Sequence, residues 1–317
     1  MSTISVSVAH IEEVTPLVKH FTLVREGGGN LPAFSGGSHV VVAMNIEGRT
    51  HRNPYSLMGS PEMNDAYHIS VRRQEKSRGG SVYMHEQVKV GSKLEITYPV
   101  NLFALEKRAH KHLLVAGGIG ITPFMSQIED LERTGANYEL HYAFRSSEHG
   151  AFSDRLRARC GDNVHCYVES EGQVLDFRKL LSQQPLGTHV YVCGPNAMVV
   201  ALIETARALG WPENHMHSEQ FSAPTSGEPF KLKLTKSNIE IEVSADISML
   251  EAIEAAGVDA PYLCRGGACG RCELEVLSSD GPLLHMDHYL TDAEKAAGKK
   301  IMPCVSRAKC NSLELNL

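Results

Sequence analysis

The sequence predicts a multidomain protein: an antiparallel β-barrel first, an α/β domain with a parallel sheet second, and a small cysteine-bearing domain last. Three observations carry this prediction. Short β-rich runs fill the first hundred residues, strands and helices then alternate, and five of the eight cysteines fall in the last 54 residues. A chain of 317 residues also exceeds the usual size of one domain. We place the domains at residues 1–107, 108–224 and 225–317.

The composition is that of a globular protein and excludes several classes. With 42% hydrophobic and 21% charged residues, the chain is neither disordered nor fibrous. Its net charge of −6 argues against a nucleic-acid partner. Since no apolar run reaches 18 residues and the first residues lack a secretory pattern, we expect no membrane association and a cytoplasmic location. In that reducing compartment, cysteines serve better as ligands than as disulfides.

The first domain is predicted from closely spaced strands that turn residues separate. The strand-like runs are Ile4–Ala9, His39–Met44, Ala66–Arg72 and Lys93–Tyr98. Little helical periodicity lies between them, which indicates an antiparallel barrel or sandwich.

The second domain begins with the apolar strand His112–Ala116 and a glycine-rich turn. Predicted strands then alternate with helices, which is typical of a parallel sheet covered on both faces. The turn contains Gly117, Gly118, Gly120 and Thr122 and leads into a helix. A glycine turn at a helix start lets a pyrophosphate approach the backbone. The segment therefore predicts a dinucleotide site.

A second motif of this domain lies at the end of a predicted strand. Cys193, Gly194 and Pro195 follow the apolar segment Val190–Val192. Ligands of open α/β sheets bind at the carboxyl ends of the strands, so these residues are candidates for the same nucleotide site. The alternative is that Cys193 is a buried strand cysteine.

The third domain follows a predicted linker over 223–229 and carries the most specific motif of the chain. Cys264, Cys269, Cys272 and Cys304 have the C-x4-C-x2-C spacing with a distant fourth cysteine that is typical of plant-type [2Fe–2S] clusters. The glycines between them let the loop wrap closely around a cluster. A zinc site that uses Cys310 is the alternative, but it would leave Cys264 idle.

Two segments of the first domain are candidates for holding a flavin. Tyr55, Ser56 and Leu57 end a predicted strand, where an aromatic edge and a hydroxyl can contact the ring. Gly79, Gly80 and Ser81 open a short predicted helix and form a candidate phosphate seat. Without the other domains, these residues would be read as a strand and a turn.

Together and in this order, these motifs resemble the phthalate dioxygenase reductase family over essentially the whole chain. Four segments are most similar to the reductases of carnitine monooxygenase-type Rieske systems: 32–39, 77–81, 101–105 and 304–309. The resemblance implies a flavin-binding β-barrel, an α/β nucleotide-binding domain and a β-grasp plant-type [2Fe–2S] ferredoxin domain. It also implies an NADH-dependent oxidoreductase that passes electrons through flavin and cluster to a separate terminal Rieske-type oxygenase.

The resemblance further implies the roles of two residues. Cys193 would be the catalytic residue beside the nicotinamide. Phe221 would cover the flavin ring, although an aromatic residue before a linker also suits the packing of a domain interface. The family pattern has arginine where this chain has Asn53, and a one-residue shift along a strand turns Arg52 to the other face. We predict FMN, because a compact phosphate seat suits a mononucleotide, with FAD as the alternative.

Some alternatives stay open at this point. Arg145 and Ser146 follow the second strand of the sheet, where the ribose of the nucleotide is usually bound. Arginine and serine there can accept a 2′-phosphate, so NADPH is the alternative to NADH. A flavin-free redox sensor or nucleotide-binding protein is one alternative function. A reductase for a diiron hydroxylase is another, but such chains commonly carry the ferredoxin module first. Residues 228–317 hold 10 basic and 14 acidic side chains, a net charge of −4, which favours an oxygenase with a basic docking patch.

Overall fold

The computed structural model describes residues 3–74, 78–221 and 226–317. These residues form two compact units that divide after Gln220. Unit 1 contains the barrel and the α/β domain, and unit 2 contains the cysteine loop. Among the helices in the described ranges, none combines the length and the apolar character that crossing a bilayer requires.

The first part of unit 1 is an antiparallel barrel. Its elements in the described ranges are β1 (Thr3–Thr15), β2 (Val18–Arg25), β3 (Ser38–Ile46), β4 (Arg49–Ser56), β5 (Ala66–Arg72), α1 (Gly80–Glu86), β6 (Lys93–Thr97) and β7 (Val100–Asn101). The strand order is β4-β3-β6-β1-β2-β5, with β7 paired to β3. A bridge between Met58 and His68 joins the chain after β4 to β5, which closes the sheet. In β3, Val40, Val42 and Met44 alternate into the barrel core.

The second part of unit 1 is a parallel sheet with helices on both faces. Its elements are β8 (Lys111–Gly117), α2 (Thr122–Thr134), β9 (Tyr138–Phe144), α3 (Ser153–Cys160), β10 (Val164–Val168), α4 (Phe177–Ser182), β11 (Thr188–Cys193), α5 (Asn196–Ala208) and β12 (Met216–Glu219). Short 3₁₀ turns lie at Gly118–Ile121, Ser147–His149, Gly161–Asn163, Glu169–Glu171 and Glu213–His215. The order is β10-β9-β8-β11-β12. The central strand β8 is apolar on both faces, because Leu114 and Ala116 face one core and Leu113 and Val115 the other.

Two glycines position the barrel against α2. The amide of Gly36 donates to Asp130 Oδ2 at 2.8 Å, and the amide of Gly37 donates to Ser126 Oγ at 3.1 Å. A Cβ at position 36 would lie 2.8 Å from the Cα of Gln127. Only glycine therefore permits this close approach, which fixes β3 relative to the helix that follows the predicted nucleotide turn.

Unit 2 is a mixed sheet with a separate two-stranded ribbon. Its elements are β13 (Phe230–Leu234), β14 (Ile239–Val243), α6 (Met249–Ala255), β15 (Leu274–Ser279), β16 (Leu283–Leu284), α7 (Asp292–Ala297), β17 (Lys300–Ile301), β18 (Arg307–Ala308) and β19 (Ser312–Leu315). The sheet order is β14-β13-β19-β15-β17, and β16 pairs with β18. Ser248 caps α6 through a capping box with Glu251. Part of the predicted linker, residues 223–225, lies outside the described residues.

Unit 1 also contains a stack of three histidines: His189 on β11, His215 at the end of the 3₁₀ turn before β12, and His217 on β12. The Nδ1 atom of His189 lies 3.0 Å from Nε2 of His217, and the rings of His189 and His215 stack at 4.0 Å. Burial, with the neighbouring His189 as a second cause, lowers the pKa of His217 to about 4. At neutral pH His217 is therefore uncharged.

We expect unit 1 to lose stability as the pH falls from 7 to 5. His217 takes up its proton near pH 4 when folded but near pH 6.5 when unfolded, so the unfolded state binds more protons between these values. The stabilisation is complete above pH 6.5 and is lost as the pH falls toward 4. Calorimetry of the full chain should show a midpoint roughly 5 °C lower at pH 5. His217→Gln should reduce this difference, and an unchanged difference would exclude His217 as its source.

Candidate functional site

The predicted pyrophosphate turn lies between β8 and α2 at the carboxyl edge of the parallel sheet. Gly118 has a positive φ of 52° and begins the 3₁₀ turn, and Thr122 begins α2. The hydroxyl of Thr122 donates to the carbonyl of Ile119 at 3.1 Å, which holds the turn against the helix. A helix that starts directly after such a turn favours an anionic group at its first amides.

The structure brings this turn together with the second predicted motif, Cys193-Gly194-Pro195. The two strands that carry them are adjacent, with Cys193 paired to Ala116. A Cβ on Gly120 would lie 2.2 Å from the carbonyl oxygen of Cys193, and one on Gly117 would lie 2.7 Å from Pro195 Cδ. Gly117, Gly120 and Gly194 therefore permit the two chain segments to pack backbone against backbone.

Cys193 is completely buried at the end of β11. Burial, with Glu219 as a second cause, raises the pKa of its thiol well above the usual value. The thiol therefore stays protonated and is a packing surface rather than a thiolate nucleophile. Glu219 pairs with Cys193 in the register of β11 and β12. The sequence interpretation missed Glu219, because its short polar strand carries no apolar pattern.

In the barrel, the structure brings the candidate flavin strand against α1. A Cβ on Gly80 would lie 2.4 Å from Nδ2 of Asn53, and this Nδ2 donates to the Tyr55 hydroxyl at 3.3 Å. Asn53 and Tyr55 share one face of β4, as residues two apart in a strand must. At position 53, where the family pattern has arginine, a neutral amide therefore packs against the helix start.

The remaining candidate flavin residues divide into side-chain and backbone contributors. Ser56 is buried, and its hydroxyl has no hydrogen-bond partner within the described chain. Leu57 is buried in the barrel core, and its amide donates to the Ser38 carbonyl at 2.8 Å, so its predicted contact with the flavin stays a prediction. Gly79 has a φ of 93° at the N-cap of α1. The Ser81 hydroxyl accepts from the amide of Gln74 at 3.1 Å, and Ser77 lies outside the described residues.

These observations fit a flavin at the strand end. The orphaned Ser56 hydroxyl needs a polar partner that the described chain does not supply, because an unpaired buried hydroxyl is costly. The predicted phosphate seat at Gly79–Ser81 has the left-handed glycine that such a turn requires.

The four predicted ligand cysteines converge in unit 2 as two pairs. The Sγ atoms of Cys272 and Cys304 lie 3.3 Å apart. The pKa of Cys264 is lowered, mainly by a hydrogen bond from the Cys269 thiol and to a lesser extent by backbone amides that include the amide of Gly266. All eight cysteines are free, and three of these four are buried. Four thiols that approach this closely suit a cluster that binds them as thiolates.

The loop that carries these cysteines adopts conformations that ordinary side chains avoid. Gly267 and Gly270 have φ values of 73° and 72°. A Cβ on Gly270 would lie 2.2 Å from the ring of Tyr289, and one on Gly267 would lie 2.7 Å from Val305 Cγ2. The two glycines therefore allow neighbouring segments to cover the loop at contact distance.

Arg265 has a φ of 54° although it is not glycine, and α6 holds it in place. Its guanidinium donates to both carboxylate oxygens of Glu254 and lies 3.8 Å from the ring centre of Tyr262. The side chains of Arg265 and Glu254 are 5% and 18% exposed, so this is a largely buried pair. Sequence reasoning missed it, because nothing local connects position 254 to the cysteine loop.

We expect Arg265→Ala to destabilise unit 2 by about 3 kcal/mol, because it leaves the Glu254 carboxylate buried without its cation. Urea unfolding of the iron-loaded chain, followed by the visible absorbance and by circular dichroism, measures the change. Arg265→Lys keeps the charge but not the paired geometry, so its free energy of unfolding should lie between those of the parent chain and Arg265→Ala. Equal stability of all three proteins would contradict this role.

Phe221 is 44% exposed and is the first residue of unit 2 in the described division. Its predicted place over the flavin ring stays a prediction.

Comparisons with known proteins agree with this arrangement. Residues 96–216 match the model of the dimethylamine monooxygenase subunit DmmA-like N-terminal domain. Residues 232–309 match the 2Fe-2S iron-sulfur cluster binding domain, which confirms the predicted cluster type and argues against zinc.

Whole-chain relatives extend the similarity. The carnitine monooxygenase reductase subunit of Acinetobacter baumannii is 47% identical over 98% of this chain and 96% of the relative. The heme-dependent oxidative N-demethylase beta subunit of Ectopseudomonas mendocina is 45% identical over the full length of both.

A solved structure covers the whole fold. Phthalate dioxygenase reductase, described as a modular structure for electron transfer from pyridine nucleotides to [2Fe–2S], superposes with a TM-score of 0.89. It is 32% identical over 100% of this chain and 98% of its own length. The match confirms the predicted order of barrel, parallel sheet and ferredoxin domain. The chain therefore belongs to the phthalate dioxygenase reductase family and is an electron-transferring oxidoreductase.

Proposed function

We propose that the chain is the reductase component of an oxygenase system. It takes electrons from NADH and delivers them, through FMN and a [2Fe–2S] cluster, to a separate terminal oxygenase. The observation that carries this proposal is the packing of the glycine turn on Cys193 at one sheet edge, in a chain whose last domain presents four converging thiols. The carnitine monooxygenase relative is named a reductase subunit, and the other is a subunit of an oxidative N-demethylase; both names favour catalytic turnover over a sensing role.

We assign the nucleotide site to residues of β8, α2 and β11. Gly117, Gly118 and Gly120 leave room for the pyrophosphate, and Thr122 fixes the turn at the helix start. Gly194 and Pro195 form the neighbouring wall. Cys193 stays an uncharged thiol in the protein interior, so its role is to orient the nicotinamide by contact rather than to react with it.

We assign the flavin to the end of β4 and the start of α1, and the cluster to Cys264, Cys269, Cys272 and Cys304. When bound, the flavin supplies the exchange between a two-electron donor and a one-electron acceptor, and the cluster supplies the single-electron outlet. Tyr55 and Ser56 contact the ring in this assignment, and Gly79–Ser81 hold the phosphate. FMN is proposed over FAD because this seat is compact.

We propose the domain division 1–107, 108–224 and 225–317, with the flavin, nucleotide and cluster in that order. A reducing compartment, the cytosol, suits thiols that must bind iron.

The terminal oxygenase is proposed to be of the Rieske type. A second candidate is a heme-dependent N-demethylase, because a relative of that name matches the full length of this chain at 45% identity.

An anaerobic titration of the purified chain tests the proposal. Flavin and iron–sulfur absorption bands that both bleach on addition of NADH, with FMN released by denaturation, are the expected result. Released FAD would correct the flavin assignment, and equal turnover with NADPH would correct the nucleotide. A colourless chain with no bound iron would refute the function.

A further inference from the structure

His39 is a buried histidine whose ring lacks a partner. Its side chain lies in β3 of the barrel and is only 6% exposed. Neither Nδ1 nor Nε2 has a hydrogen-bond partner within the described residues. Burial lowers the pKa of His39 to about 4. At neutral pH the ring is therefore uncharged, with one nitrogen as donor and the other as acceptor, and both are unpaired.

The neighbour of His39 across the sheet is Ser56, whose hydroxyl is also unpaired. The register of β3 and β4 places His39 opposite Ser56. The next residues in register, Ser38 and Leu57, are joined by a backbone hydrogen bond of 2.8 Å. Since hydrogen-bonded and non-hydrogen-bonded pairs alternate in antiparallel sheets, His39 and Ser56 form a non-hydrogen-bonded pair, in which side chains lie closest.

The pair faces away from the barrel core. Val40 and Val42 point into the core, so His39 points to the outer face. Two residues earlier, the amide of Gly37 donates to Ser126 of α2. His39 therefore lies on the side of the barrel that meets the helix following the nucleotide turn. A flavin that receives a hydride from that nucleotide has to lie on this side.

We propose that His39 is a further flavin-positioning residue, whose uncharged imidazole and the Ser56 hydroxyl together hydrogen-bond the polar edge of the flavin ring. The inference rests on the proposed function, because it requires a flavin at the end of β4. Three unpaired polar atoms side by side, two on the ring and one on the hydroxyl, match a ligand edge that carries both donors and acceptors. No sequence motif pointed to His39; its cross-strand register with Ser56 identifies it.

The unpaired ring of His39 is expected to destabilise the flavin-free chain. Unpaired buried polar atoms destabilise a protein that lacks their ligand, so an apolar side chain of similar size should not harm the flavin-free chain. His39→Leu should leave the thermal midpoint of the flavin-free full-length chain unchanged or raise it. The same variant should weaken FMN binding about tenfold, the loss of roughly one hydrogen bond. A residue that only supports the fold would lower the midpoint instead.

Fluorescence titration of flavin-free full-length chains with FMN, together with the flavin midpoint potential, tests this role. His39→Gln retains a donor and an acceptor and should stay within about threefold of the parent. If the FMN affinity and the flavin potential are unchanged in His39→Leu, the proposal is overturned, and the unpaired atoms are assigned to an internal water. A midpoint lowered in that variant, with affinity unchanged, would also overturn it.

A second measurement observes the His39 ring directly in the parent chain. In the parent chain labelled with ¹⁵N-histidine, FMN should shift the ring nitrogen resonances of His39, which are identified by their loss in His39→Gln. Ring resonances that do not respond to saturating FMN would refute the contact.

Ser56→Ala separates this inference from the function on which it rests. Weakened FMN binding in Ser56→Ala, but not in His39→Leu, refutes only the role of His39. A parent chain that binds no flavin refutes the proposed function itself.

Discussion

Replacing Cys304 with alanine is expected to remove the cluster and to lower NADH-driven reduction of cytochrome c by about 100-fold or more, while NADH still reduces the bound flavin. Substitutions that merely disturb the surroundings of a metal ligand already lower affinity by 10–100-fold, so loss of a ligand should reach at least the upper end of that range. The Cys304 Sγ atom lies 3.3 Å from that of Cys272, and the residue is buried. No solvent ligand therefore replaces it easily.

Cys310→Ala is the matched control, because Cys310 follows Cys304 closely but lies beside Gly281, where a Cβ would be 3.1 Å from Cys310 Cα. This variant should keep its iron, its sulfide and its cytochrome c activity. Iron and sulfide analysis and the visible spectrum measure the outcome. An iron-free Cys310→Ala chain, or a Cys304→Ala chain with a full cluster, would show that the fourth ligand is assigned wrongly.

Replacing Gly120 with alanine is expected to lower kcat/KM for NADH by about 100-fold and to destabilise unit 1 by about 3 kcal/mol. The added Cβ would lie 2.2 Å from the carbonyl oxygen, 2.5 Å from the carbonyl carbon of Cys193 and 2.8 Å from the amide nitrogen of Gly194. These are backbone atoms at the end of β11, which pairs with β8 and β12, and they cannot rotate away. The turn has to move, and a displacement of about 1 Å in a binding turn is enough for such a loss in rate.

The control for this change is Gly135→Ala at the C-terminal end of the same helix, α2. Gly135 has a φ of 66° and nothing within 4 Å of its Cβ position. Its substitution should cost about 1 kcal/mol and leave kcat/KM for NADH unchanged. Stopped-flow reduction by NADH and thermal unfolding distinguish the two variants. A Gly120→Ala chain with the kinetics of the parent would contradict the proposed nucleotide turn.

Most of the fold was predictable because its signals are local. Strand β5 has the bounds of the predicted run Ala66–Arg72, and a helix follows the glycine turn as predicted. The short edge strand β12 was not predictable, because its four residues are mostly polar and acquire strand geometry only by pairing with β11.

A cluster of histidines also forms that the spacing along the chain does not predict. The sequence contains no H-x-x-x-H or H-E-x-x-H motif of the kind that marks a metal site. In the structure, the ligand-capable atoms of Glu139, His141 and His165 lie within 4.8 Å of one another on neighbouring strands. The pairing of β9 with β10 brings them together, and no spacing along the chain encodes that register.

The sequence by itself determined the type of metal cluster, the order of the domains and the position of the glycine turn between a strand and a helix. Each depends on spacings of a few residues, which the backbone converts directly into geometry. Only the tertiary structure decided that Gly120 packs on Cys193, that Glu254 holds Arg265 and that His39 stands beside Ser56. These contacts join residues that are distant along the chain, and they are fixed by sheet order, strand register and close packing, which are properties of the whole fold rather than of any segment.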